Sequence, residues 1–170
     1  RLATLLDNLN ENQTQPAFGF GVDETTALVV IKSGAGNLMT VIGKNGVVLV
    51  KPKERIEAEA KTYRYSYWPA GSVIDVNNNS FTLSERTLGK TLPSIKIPPL
   101  PVQRFGSILT DAKLRSLTQA MCLAQEQSAV AQQDEFLISL NANADTRYNR
   151  ISTKQFGCAV SNLSLVVESF

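Results

Sequence analysis

The amino-acid sequence predicts an α+β chain, rich in strands and carrying one long helix. Short apolar stretches at period two recur from Ala17 to about Arg86, separated by turn signals such as "SGAGN", "KNG" and "NNNS". One later stretch, Thr110–Gln133, instead spaces its apolar residues at helical intervals. Over 170 residues, 43% hydrophobic and 19% charged side chains give the composition of an ordinary globular domain. A chain of that size buries roughly 70% of the surface that its unfolded form exposes, so it can build a real core.

The elements follow in order. Leu2, Leu5, Leu6 and Leu9 fall at i, i+3, i+4 and i+7, one face of a helix that "NENQTQP" then breaks. From Ala17, "AFGFGV" and "TTALVVIK" read as strands flanking the Asp23-Glu24 turn, and "LMTVIG" and "VVLVK" as strands joined by an Asn45-Gly46 hairpin turn. The pattern predicts a meander. In "ERIEAEAKTYRYSYW", Ile56, Ala58 and Ala60 alternate with charge, and Tyr63, Tyr65 and Tyr67 alternate with polar residues. Aromatics at period two suit a half-buried sheet, so the tyrosine half is read as a strand. "PAGSVID" and "SFTLSER" continue the same style around the asparagine turn.

"TLPSIKIPPLP" carries four prolines in eleven residues. Proline has no amide to donate to a central ladder, which makes this an extended connector and places a boundary there. Beyond it, Leu114, Leu117, Met121, Ala124 and Ala131 form the stripe of the long helix, with Thr110 or Asp111 as its cap. "EFLISLN", with Phe136, Ile138 and Leu140 in phase, and "NLSLVVESF", with Leu163, Leu165 and Val167 in phase, read as closing strands.

The composition excludes several kinds of chemistry. With no histidine, this chain by itself has no Ser-His-Asp or Cys-His catalysis, and lacks the commonest zinc ligand. No metal site or cofactor is expected. A formal charge of +2, from 17 basic and 15 acidic residues, gives no reason to expect nucleic acid. Apolar runs of a few residues are far short of the roughly 20 that a spanning helix needs, so no membrane partner is expected. The opening "RLATLLDNLNENQ" has no signal-peptide pattern and no Met, which fits a trimmed or excised fragment as well as a whole product. Cys122 and Cys158 read as buried or idle thiols, with a single bridge as the alternative in an oxidising compartment.

Two phosphate-loop patterns fail on inspection. In Gly19-x-Gly21 the third glycine position is Glu24, and a β-branched run follows in place of a helix. A strand–turn–strand reading suits it better, with Asp23 accepting amide bonds in the turn. "SERTLGKT" ends like a P-loop, but Ser84 stands where the first glycine is required and Pro93 follows closely. Lys90 is therefore read as a solvated surface lysine.

Two stretches, "RLATLLDNLNENQ" and "GFGVDETTALVV", together resemble the cyanophycinase and aspartyl-dipeptidase family of serine peptidases. In its cyanophycinase branch a helix beginning Arg-Leu leads to a strand and a Gly-x-Gly-x-Asp-Glu-x-Thr-Ala turn. That turn corresponds here to Gly19, Gly21, Asp23, Glu24, Thr26 and Ala27, in a structural role. "VIGKNGVVLV" and "PAGSVIDVNNNSFTLSER" are similar to the family's closing strands.

The resemblance covers about residues 1–91. It implies the carboxy-terminal part of such a peptidase domain, followed by a connector (92–109) and an unassigned extension (110–170). The family's nucleophilic serine and its histidine would both lie before Arg1, so no catalytic residue is expected on this chain. Arg1 would be the last of the arginines that hold the substrate's charged groups.

The complete enzyme would be α/β, a layered sheet with flanking helices. It would hydrolyse aspartyl amide bonds in β-Asp-Arg polymer of the cyanophycin kind or in short aspartyl peptides. Its partners would be that substrate and the missing amino-terminal half, and an exposed strand edge would invite a homo-oligomer. The alternative is a non-enzymatic β-rich binding or accessory domain, for which Tyr63, Tyr65, Tyr67 and Trp68 would be the exposed candidates, although alternating aromatics on a strand are more often packing.

Overall fold

The computed structural model describes residue 6 and residues 18–34, 36–52, 61–95, 107–152 and 157–169. It is a strand-rich α+β structure in which one sheet is covered on both faces. Eleven strands are formed among the described residues: β1 (Gly19–Val22), β2 (Thr26–Ser33), β3 (Gly36–Gly43), β4 (Gly46–Pro52), β5 (Lys61–Pro69), β6 (Val73–Asn77), β7 (Ser80–Leu83), β8 (Ser128–Gln133), β9 (Phe136–Asn141), β10 (Arg147–Ile151) and β11 (Gly157–Ser169). Two helices with described bounds join them, the single turn α1 (Glu85–Leu88) and the longer α2 (Lys113–Ala124).

Seven strands make the larger sheet, in the order β1-β4-β5-β11-β9-β8 with β10 also paired to β11. Four make the smaller sheet, β2-β3-β6-β7. All described pairings are antiparallel.

Period two sorts the side chains of the larger sheet onto two cores. Tyr63, Tyr65, Leu140, Val160 and Leu163 pack with Leu117 and Met121 of α2. From the other face Val47, Leu49, Trp68 and Ala159 meet Met39, Val41, Ile74 and Phe81 of the smaller sheet. Leu6, helical and buried, belongs to the first core, while Leu2, Leu5 and Leu9 of the expected first helix lie outside the described residues.

A bulge lets β11 serve both neighbours. Val160 pairs with Tyr67 and Leu163 with Tyr65, so three steps on β11 match two on β5. Asn162 takes a left-handed φ of 62° there and donates its amide to Ser66 Oγ at 3.0 Å. The extra residue reverses the phase of the strand: Cys158 and Val160 before it, and Leu163 and Leu165 after it, all reach the α2 side.

Several expectations are corrected. The Asn45-Gly46 hairpin and the meander do not form, because β3 is already flanked by β2 and β6, and β4 by β1 and β5. Both links, β1 to β2 and β3 to β4, instead carry the chain from one sheet to the other.

The long helix stops at Ala124. Gln125 turns left-handed (φ 54°) and its amide reaches back to the Cys122 and Met121 carbonyls. "SAVAQQ" becomes β8, which places Ala129 and Ala131 against the core at period two. Its ladder with β9 overrides the helical propensity of alanine and glutamine. Neither Thr110 nor Asp111 caps α2; Ala112 occupies that position without a side-chain bond.

Cys122 and Cys158 form a disulfide that ties α2 to β11, in place of idle thiols. Tyr63, Tyr65, Tyr67 and Trp68 are at most 3% exposed: they pack in the core, as alternating aromatics on a strand usually do, and are not the exposed candidates the binding-domain alternative needs.

Other turns follow the sequence. "SGAGN" joins β2 to β3, with Ser33 opposite Gly36. Asn78 and Asn79, at φ 47° and 60°, join β6 to β7 as a tight hairpin of the kind asparagine tolerates. The P-loop-like stretch contains α1, capped by Ser84 Oγ on the Thr87 amide, and Lys90 is exposed. Ile56, Ala58 and Ala60 and most of the proline-rich connector lie outside the described residues. On its far side β11 runs between β5 and β9, so the segments before and after the connector share one sheet.

Candidate functional site at the sheet corner

The two crossovers between sheets meet, and they are stitched together by the residues of the Gly-x-Gly-x-Asp-Glu-x-Thr-Ala turn. The Asp23 amide donates to the Gly46 carbonyl at 3.1 Å, and the Gly46 amide returns a bond to Asp23 Oδ2 at 3.2 Å. Thr26 Oγ1 accepts the Asn45 amide at 3.1 Å, and the Asn45 side-chain amide donates to the Glu24 carbonyl at 2.8 Å. The Lys44 amide donates to the Thr25 carbonyl at 3.0 Å. Each turn supplies acceptors for the other's amides, so the Asp23, Lys44, Asn45 and Gly46 amides are all bonded where the chain changes sheets.

Asp23 also receives Arg115 of α2, whose Nη1 lies 3.0 Å from Oδ2. Both side chains are 29% exposed, so this charge-assisted bond is only partly screened by water. It pins the helix to the corner from a residue 92 positions away. Gln119, one turn further along α2, exchanges two bonds with the Cys158 backbone, at 2.7 and 2.9 Å. Helix, corner and β11 are thus tied at adjacent points, with the disulfide beside them.

A shallow hollow of about 170 Å³ opens at this junction, lined by Lys44, Asn45, Tyr67, Arg115, Gln119 and Gly157 among others. Tyr67 lies under Gly46 so closely that a β-carbon at that glycine would overlap its hydroxyl. Burial, reinforced by the Asp23 carboxylate and opposed by Arg115, pushes the Tyr67 phenol up to about 12. At neutral pH it is a protonated donor, beside one exposed lysine and one arginine already neutralised by Asp23. The hollow can offer hydrogen bonds and a single net positive charge to a small polar group. It holds no nucleophile–base pair.

Every residue of the turn motif lies at or beside this corner: Gly19 and Gly21 on β1, Asp23 and Glu24 in the crossover, Thr26 and Ala27 opening β2. Gly21 is not sterically required, since a β-carbon there would rest 3.8 Å from Val48 Cβ. Arg1 lies outside the described residues. Sequence reasoning missed Tyr67 as a lining residue, and also Arg115 and Gln119. Only Lys44-Asn45-Gly46 carried a local signal, as a turn.

Among the described residues no group of three or more His, Cys, Asp or Glu could hold a metal ion, and no helix is long and apolar enough to cross a membrane. Comparison with known proteins found no match among family descriptions, curated proteins or solved structures.

Proposed function

We propose that this chain is the carboxy-terminal segment of a cyanophycinase-like serine peptidase that hydrolyses aspartyl amide bonds, β-Asp-Arg or Asp-X. The observation that supports this reading is the joining of two resemblance-bearing stretches, "GFGVDETTALVV" and "VIGKNGVVLV", into one hydrogen-bonded corner. Asp23, Thr26 and the Glu24 carbonyl each accept a bond there from Asn45 or Gly46. A chance match of two short patterns carries no requirement that they be each other's partners.

On this reading the turn residues are structural, and the chain supplies scaffold, not catalysis. Serine attack on an amide needs a base within hydrogen-bond reach and donors for the oxyanion. With no histidine in the chain, both nucleophile and imidazole belong to a preceding segment. The complete enzyme would be a layered α/β protein, and the segment carrying serine and histidine would be this chain's partner. Arg1 would bind a substrate carboxylate through its forked guanidinium.

The test is the gene product that includes residues before Arg1, assayed for release of β-Asp-Arg or aspartate from cyanophycin-type polymer and short aspartyl peptides. Hydrolysis by the longer product, lost when its elbow serine is replaced, supports the reading. Arg1→Ala is then expected to raise KM more than it lowers kcat. A preceding segment without a Gly-x-Ser-x-Gly elbow and a histidine would sink it.

A further inference from the structure

The first strand of the smaller sheet is an edge of unusual character. β2 pairs with β3 along its whole length, Thr26 opposite Gly43 through Ser33 opposite Gly36, and no described strand lies on its other side. Natural edges are blunted by proline, bulges or inward charges. Thr26–Ile31 has none of these; it reads "TALVVI", with an unbroken register.

Val30 and Ile31 point to opposite faces, yet they are 54% and 55% exposed. Val30 shares its face with Leu28, which packs on the inter-sheet core, and its cross-strand neighbour Met39 is buried. Its exposure therefore comes from the missing neighbour beyond β2. The opposite face is open as well: Ile31, across from Leu38, is exposed, and so is Ile42, across from Ala27 further along the same face. A strand laid along β2 would set side chains beside those of β2 on both faces and satisfy the unpaired backbone groups of that edge.

The charges at its two ends select the occupant. Asp23 and Glu24 lie just before β2, and Lys32 lies at its end. The Glu24 carboxylate and the Lys32 ammonium are exposed and form no ion pair among the described residues. In an antiparallel pair of β2 strands whose two-fold axis passes at Leu28, Thr26 lies opposite Val30 and Lys32 of each chain lies opposite Glu24 of the other, twice by symmetry. A strand with acid at its start and base at its end is complementary to itself under a two-fold axis.

We infer that two copies of this chain associate through β2, joining their four-stranded sheets into one continuous eight-stranded sheet across a two-fold axis. Because pairing uses up the edge, the assembly closes at two.

Sedimentation equilibrium of the chain over a wide concentration range tests this. The expected result is a monomer–dimer equilibrium. Ile31→Lys, at an exposed position that leaves the core intact, is expected to shift it to monomer without changing the circular dichroism spectrum. Lys32→Glu sets like charges opposite each other at both symmetric contacts and is expected to weaken the dimer roughly tenfold. Combining it with Glu24→Lys reverses both charges and is expected to restore affinity. A chain that stays monomeric at all concentrations would overturn the inference, as would growth beyond two copies. A dimer indifferent to these substitutions would overturn it too, since its contact would then lie elsewhere.

Discussion

The disulfide between Cys122 and Cys158 offers the sharpest quantitative test of the architecture. It joins α2 to β11 across the face of the larger sheet and closes a loop of 36 residues. Restricting an unfolded chain by a cross-link of that span is worth about 4 kcal/mol in the chain-entropy account. For a domain of this size each kcal/mol moves the melting midpoint by roughly 2–4 °C, so losing the bridge is expected to lower Tm by about 8–16 °C.

The perturbation is the double replacement Cys122→Ala with Cys158→Ala, compared with the oxidised parent in urea. Trp68, the only tryptophan and fully buried between the sheets, reports unfolding by its fluorescence. Both cysteines are at most 2% exposed, so reductant reaches the bridge only after α2 lifts from the sheet. Two results would refute the reasoning. One is unchanged stability in the double variant; the other is rapid labelling of two free thiols in the purified native protein.

Asp23→Ala removes the acceptor for the Gly46 amide and the partner of Arg115, and is expected to cost about 1–3 kcal/mol. A double-mutant cycle with Arg115→Ala should return a coupling on the order of 1 kcal/mol, measured by urea unfolding. Gly46→Ala drives a β-carbon into the Tyr67 hydroxyl and to 2.7 Å from the Trp68 carbonyl, and should cost about 1–3 kcal/mol. Gly21→Ala, with room beside Val48, should be nearly neutral in the same urea assay.

Burial holds the Tyr67 and Tyr148 phenols up to about 12, with nearby Asp23 and Glu126 respectively adding to the shift, and pushes Tyr65 higher still. These groups keep their protons when folded and lose them near pH 10 when unfolded. Their contribution to stability is therefore complete below pH 10 and falls as pH rises through 12. Absorbance at 295 nm in native and denaturing buffer, with urea midpoints at pH 9–12, checks both the shift and its sign.

The sequence by itself determined what depends on neighbours along the chain. The period-two tyrosines of β5, the in-phase apolar residues of β9 and the second half of β11, and the asparagine turn of β6–β7 were all legible. Alternation and turn preference are local properties of the backbone. The absence of histidine was equally decisive, since no fold can supply a missing imidazole.

Only the tertiary structure decided which strand pairs with which. Asn45-Gly46 looks locally like a hairpin turn, but β4 finds β1 and β5 more favourable neighbours than β3, and the turn becomes a corner between sheets. "SAVAQQ" looks helical, but pairing with β9 buries Ala131 and makes it a strand. The β11 bulge, the Cys122–Cys158 bridge and the Asp23–Arg115 pair each join residues far apart in sequence. Such contacts form only once burial has brought the layers together, and no local pattern announces them.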